Sequence, residues 1–199
     1  MIVIANNLGK RFNREWVFRN FNHQFDSGKT YAITGPNGSG KSTLMQVLWG
    51  QMQPSIGSIH YSIEEQSEIY KHISIATPYM DLIDEFTLEE MVRFHFKFKK
   101  CRVSIENLLD KIELNSSLKK NISTFSSGMR QRLKLALAFY SDCELLFLDE
   151  PCTNLDKKSI EWYQHHLEQV PTTATVFIAS NQEYEYPSLA EKIDIKHYK

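Results

Sequence analysis

The apolar residues of this chain change their spacing several times, and each change marks an element. Leu145-Leu146-Phe147-Leu148 is a continuous apolar run, and Ala174-Thr175-Val176-Phe177-Ile178-Ala179 is nearly one. Such runs belong to strands covered on both faces, as in a parallel sheet. Lys29-Thr30-Tyr31-Ala32-Ile33-Thr34 reads as another short strand, and His72-Ile73-Ser74-Ile75-Ala76 as one stopped by Pro78. Ser58-Ile59-His60-Tyr61-Ser62 alternates like a half-exposed strand. Near the start, residues 2–4 form a first strand. Residues 8–28 then mix polar positions with Phe12, Trp16, Phe18, Phe21 and Phe25. That mixture predicts short antiparallel strands ending at the turn Asp26-Ser27-Gly28.

Helical spacing appears between these strands. Residues 42–49 read as a helix closed by Gly50. Thr87-Leu88-Glu89-Glu90 begins with a capping box, and Met91, Phe94 and Phe98 follow on one face. The alternation Phe94, Phe96, Phe98 argues for a strand, but the box and the length favour a helix. Residues 104–112, 126–140 and 157–169 read as further helices. His165-His166 on the last of them is expected to face solvent rather than form a metal pair. The tail from Glu183 is polar, with one apolar pulse at Ile193 and Ile195. The expectation is a single α/β domain over residues 1–199 with a mostly parallel sheet and an antiparallel N-terminal part. A helical insertion begins at 87, runs to about 122 and, with the helix that follows, to about 140.

Composition narrows the function without choosing it. A net charge of −1 offers no pull toward nucleic acid or an anionic membrane. The basic run Lys97, Lys99, Lys100, Arg102 reads as a solvated helix end. Cys101, Cys143 and Cys152 form no CxxC pair and suit reduced thiols in a cytosolic protein. The first residues lack the basic-then-apolar order of a signal peptide. No apolar stretch approaches the roughly 18 residues of a spanning helix, so at a membrane another chain must hold this one.

Chemistry enters at Gly35-Pro36-Asn37-Gly38-Ser39-Gly40-Lys41-Ser42-Thr43. The stretch fits the phosphate-loop pattern G-x-x-x-x-G-K-[ST] and lies between a strand and a helix, the context the motif requires. Its glycines let successive N–H groups point at one centre, and the helix N-terminus adds partial positive charge. Lys41 supplies a mobile full charge for the outer phosphates, and the Ser42 hydroxyl suits Mg²⁺. The second candidate is Asp149-Glu150, at the end of the apolar strand, where open α/β sheets place their ligands. Asp149 would hold Mg²⁺ through water, and Glu150 would polarise an attacking water.

Together these motifs resemble the nucleotide-binding subunit of ATP-binding-cassette (ABC) transporters, over nearly the whole chain. Phe125-Ser126-Ser127-Gly128-Met129-Arg130-Gln131-Arg132 looks like the family's signature loop, L-S-G-G-Q. Residues 145–149 look like its Walker B strand, Glu150 like its catalytic glutamate, and Asn154-Leu155-Asp156 like its D-loop. Phe12 falls where the family places an adenine-stacking aromatic. The resemblance implies the P-loop NTPase fold with ATP and Mg²⁺ as ligands. It implies a head-to-tail dimer in which Ser126, Ser127 and Gly128 face the γ-phosphate held by the second copy. It also implies a transmembrane permease partner, with residues 79–86 receiving its coupling helix, and a cytoplasmic location on the inner face of the membrane. The short tail resembles compact exporter-type cassettes.

Two positions depart from the family pattern. Pro78 stands where a glutamine is usual, and Asn181 where a histidine is usual. Proline offers Mg²⁺ no side-chain ligand. An asparagine amide can still donate to a γ-phosphate but carries no charge. Two readings therefore stay open at this stage: a working transport ATPase, with Glu150 and Asn181 catalytic, or a slow-turnover or soluble ABC protein acting as a nucleotide-gated interaction module.

Overall fold

The computed structural model describes all 199 residues. In chain order the elements are β1 (Val3–Phe12), β2 (Glu15–Phe25), β3 (Thr30–Thr34), α1 (Lys41–Leu48), β4 (Ile56–Tyr61), α2 (Ile69–His72), β5 (Ile73–Ala76), α3 (Leu88–His95), α4 (Ile105–Lys111), α5 (Ser127–Tyr140), β6 (Leu145–Asp149), α6 (Lys157–Glu168), β7 (Thr175–Ala179) and β8 (Glu191–Asp194). They form two compact units. One comprises Met1–Ile73, Cys143–Asp149 and Pro171–Lys199, and the other Ser74–Asp142 and Glu150–Val170.

The first unit holds an antiparallel sheet in the order β2-β1-β4 and parallel strands in the order β6-β7-β3-β8. Every residue of β6 and β7 is buried, as their nearly continuous apolar runs require. Aromatic rings fill the space beside them. Phe147 stacks on Phe177 with centroids 4.5 Å apart, and Phe25 meets Phe177 at 5.0 Å. The N-terminal part differs from the expected short strands. β1 runs unbroken from Val3 to Phe12, but its register on β2 slips between Ala5 and Leu8 and again before Lys10. Asn7 and Asn20 take positive φ in these strands. Each slip moves the inward face by a residue, so the simple alternation that identifies a strand is lost. The tail also does more than its polar sequence suggested. β8 pairs in parallel with β3, setting Ile193 opposite Ile33, and Ile195 is fully buried.

The second unit is mostly helical. Thr87 caps α3 as expected. Its Oγ1 accepts from the Glu90 N–H at 3.2 Å, while its own N–H donates to Glu90 Oε2 at 2.8 Å. The helix is shorter than its spacing implied: it ends at His95, and Phe98 is left 74% exposed. His165 is exposed, but His166 is buried, against the expectation for the pair. Trp162, Tyr163, His166 and Leu167 form the buried face of α6, and helical spacing turns His166 inward with them. Its ring stacks on Trp162 at 4.2 Å, and its Nδ1 lies 2.7 Å from the Trp162 carbonyl.

Candidate nucleotide site

The loop of residues 35–40 joins β3 to α1 in the first unit. Gly35, Gly38 and Gly40 all take positive φ. At Gly40 the need for glycine is steric as well, since a Cβ there would lie 2.5 Å from Val17 Cγ1 on β2. Lys41 opens α1 and is buried. Its Nζ donates to the carbonyls of Gly35 at 2.8 Å and Pro36 at 3.4 Å, so the ammonium folds back over the loop. The Ser39 hydroxyl is 2% exposed and has no hydrogen-bond partner. A buried hydroxyl left in this state favours a polar ligand in the loop.

Strand register brings Asp149 and the end of β7 to the loop's level. Ile33 of β3 pairs with Ala179 of β7, which pairs with Asp149 of β6. Asp149 is 2% exposed at the end of its strand. Just past β7, Asn181 is tied to the loop itself: its Oδ1 accepts from the Gly35 N–H at 3.1 Å, and its Nδ2 donates to Asn37 Oδ1 at 3.4 Å. The sequence pointed to Asn181 as a phosphate donor. The structure adds that its amide already spans two loop residues. Phe12 ends β1 with its ring 48% exposed and Lys10 Nζ 5.3 Å from the ring centroid. The Val17–Gly40 approach ties this hairpin to the phosphate loop.

The second unit carries the other candidates. Ser126 is the N-cap of α5, its Oγ accepting from the Met129 N–H at 3.2 Å. A cavity of about 380 Å³ is lined by Ser126, Ser127, Gly128, Asn154, Asp156 and Ser159, among others. A Cβ at Gly128 would meet the Asn154 carbonyl oxygen at 3.1 Å, so the signature loop packs directly on the segment after Glu150. Glu150 has φ +46°, and its carbonyl accepts from the Thr153 N–H at 3.1 Å. Asp156 caps α6 through the Ser159 N–H at 2.8 Å, and hydrogen bonds from Ser159 hold its carboxyl below the usual range.

Two features near the departures were not legible in the sequence. The Pro78 carbonyl accepts from Lys134 Nζ at 2.9 Å, so this turn is held by its backbone. Asp84 is paired with Arg130 at 2.6 Å, and that hydrogen bond holds its carboxyl below the usual range. Leu82 is buried, whereas Tyr79 is 83% exposed.

A family model described as ABC transporter matches residues 18–153. The chain belongs to the ABC transporter family. It is a nucleotide-binding subunit of the ABC ATPase type, with ATP as its ligand. It is 30% identical to the lantibiotic transport ATP-binding protein SrtF of Streptococcus pyogenes, over 94% of this chain and 83% of that one. The zinc uptake system ATP-binding protein ZurA of Listeria innocua is 26% identical, over 86% of this cassette and 72% of its own length. Among solved structures, a putative ABC transporter ATP-binding protein from Pyrococcus furiosus superposes with a TM-score of 0.85. Its identity is 19%, covering 100% of this chain and 99% of that one. A dimeric, post-hydrolysis ATP-binding cassette bound to ADP and Pi superposes with a TM-score of 0.77 at 22% identity, covering 90% and 88%. No helix of this cassette is long and apolar enough to cross a membrane.

Proposed function

We propose that this cassette binds and hydrolyses Mg-ATP as a head-to-tail dimer, and that dimer closure powers a membrane transporter through a permease subunit. The observation that carries the reading is the loop. Positive-φ glycines, the buried Lys41 and the unpartnered Ser39 hydroxyl converge where β3 meets α1. In this reading Gly35, Pro36, Asn37, Gly38, Ser39, Gly40, Lys41, Ser42 and Thr43 cradle the phosphates, and Phe12 stacks on the adenine. Lys41 exchanges its loop carbonyls for β- and γ-phosphate oxygens, and Asn181 donates beside them.

Ser42 and Asp149 offer a hydroxyl and a nearly buried carboxylate, a donor set that fits the hard cation Mg²⁺. Bound there, the ion would neutralise charge on the phosphates. Glu150 polarises the attacking water. Ser126, Ser127 and Gly128 of one copy complete the site of the other, because small residues at a helix start expose backbone donors to an anion.

The permease places the subunit on the inner face of the membrane. Export is the direction we take forward; the relatives include both a lantibiotic transport protein and a zinc uptake protein.

A second reading, slow turnover with ATP acting chiefly as a dimer clamp, draws on Asn181. A neutral amide already engaged by Gly35 and Asn37 is a weaker phosphate donor than a free cation. Steady-state ATP turnover of the purified chain separates the two. Turnover that Glu150→Gln abolishes supports the transport ATPase, and turnover equal in the two proteins sinks the catalytic role of Glu150.

A further inference from the structure

The segment that follows the apolar strand β6 is held in an unusual shape. Glu150 takes φ +46°, a region L residues rarely occupy, and Asn154 takes φ +63°. Between them the chain turns, with the Thr153 N–H donating to the Glu150 carbonyl. Something must hold this geometry, and one turn into α5 there is a candidate. Gln131 is 5% exposed, and its Nε2 donates to the Pro151 carbonyl at 2.8 Å. One turn earlier on the same helix, Gly128 approaches the Asn154 carbonyl. The two contacts fasten both sides of the turn to α5, within one unit.

We infer that Gln131 is a positioning residue for Glu150, and that through α5 it links the two nucleotide sites of the dimer. The inference rests on the function proposed above. In that reading Ser126 and Gly128 touch the nucleotide held by the second copy, while Glu150 acts on the nucleotide held by its own chain. Both ends sit on one rigid assembly: the signature starts α5, and Gln131, one turn on, grips the residue after Glu150. A shift of α5 as the signature engages a phosphate therefore moves the Pro151 carbonyl, and with it the backbone that aims the Glu150 carboxylate. Proline at 151 has no N–H of its own and fixes its φ near −65°, so rotation about that bond cannot absorb a pull on its carbonyl.

The test is steady-state ATP turnover, with equilibrium ATP binding, of the full-length chain and two variants. Gln131→Met keeps the volume and removes the donor. We expect kcat to fall about tenfold, as for a buried carbonyl that loses its donor, with KM for ATP within about twofold because the binding loop is untouched. The Hill coefficient for ATP should fall toward one. In Gln131→Glu the introduced side chain can donate only when protonated. Its kcat relative to wild type should rise as pH drops from 8 to 6, with the same circular dichroism spectrum at both pH values, while the Gln131→Met ratio stays flat; a defect of folding caused by the buried carboxylate would change the spectrum together with kcat. If Gln131→Met does not fold, the pH profile of Gln131→Glu decides. A folded Gln131→Met with wild-type kcat, or a flat Gln131→Glu ratio, overturns the link alone. A wild-type protein without turnover overturns the proposed function and the link with it.

Discussion

At the scale of single residues, the loop and its two partners behave differently from what residue type alone conveys. Lys41 is a cation stored against carbonyls; in the proposed function it would move to ATP because phosphate oxygens bind an ammonium more strongly than neutral carbonyls do. Glu150→Gln removes the proposed base but keeps the size and the backbone, so turnover should drop by about 10²-fold or more while ATP binding persists; a discontinuous phosphate assay with a filter-binding control reads both. Asn181 supplies a sharper prediction. Asn181→Asp keeps the acceptor for the Gly35 N–H but replaces the amide that faces Asn37, and in the proposed function the phosphates, with a negative charge. Repulsion between like charges a few ångströms apart should raise the Kd for ATP at least about tenfold. A Kd unchanged by isothermal titration calorimetry would place Asn181 away from the nucleotide. The place of Asn181 beside a phosphate was legible in the sequence, but its bond to Gly35 was not, because that bond is made across 146 residues of chain.

At the scale of elements, what could be read was whatever leaves a local signature. The capping box at Thr87, the apolar runs of β6 and β7 and the glycine loop each follow from neighbouring residues. β1 and β2 were harder because bulges break their alternation, and β8 because a short edge strand with polar residues has almost no pattern of its own. Gln131 was missed for a related reason. A glutamine among basic residues at a helix start looks solvated until the Pro151 carbonyl is found opposite it. The segment 79–86 shows the same effect with charge. Asp81 and Asp84 look equivalent in sequence as permease contacts. Asp81 is exposed, but Asp84 is the partner of Arg130, and its backbone carbonyl receives the Ser123 N–H. Charge reversal should therefore separate them. Asp81→Lys should leave the melting temperature unchanged and weaken co-purification with the membrane subunit. Asp84→Lys should lower the melting temperature by setting two cations against each other. Equal thermal effects from the two substitutions would mean that the Arg130 pair has no structural role.

At the scale of the whole molecule, stability should depend on pH through histidines that fold into a neutral state. His95 is the clearest. Its Nε2 lies 3.0 Å from the Ser141 hydroxyl, which itself donates to the Leu137 carbonyl at 2.8 Å. The hydroxyl hydrogen is already used, so Nε2 must carry the proton and donate, and Nδ1 is the position left to titrate. Burial, with a smaller push from Lys99, brings the His95 pKa down to about 4. Burial also lowers His166 and His23. The unfolded chain takes up these protons near 6.5 and the folded chain only at lower pH. Between those values the unfolded state binds more protons, so stability rises with pH across the window. The contribution is complete above about pH 6.5 and lost as pH falls toward 4. For His95 alone the loss amounts to roughly 2–3 kcal/mol. Urea titrations followed by circular dichroism between pH 7.5 and 4.5 should show this slope. His95→Gln keeps a donor for Ser141 and has no charge to gain, so its slope should be shallower, with the remainder left to His166 and His23. A variant whose pH slope matches that of the parent protein would show that His95 is protonated as easily in the folded chain as in the unfolded one.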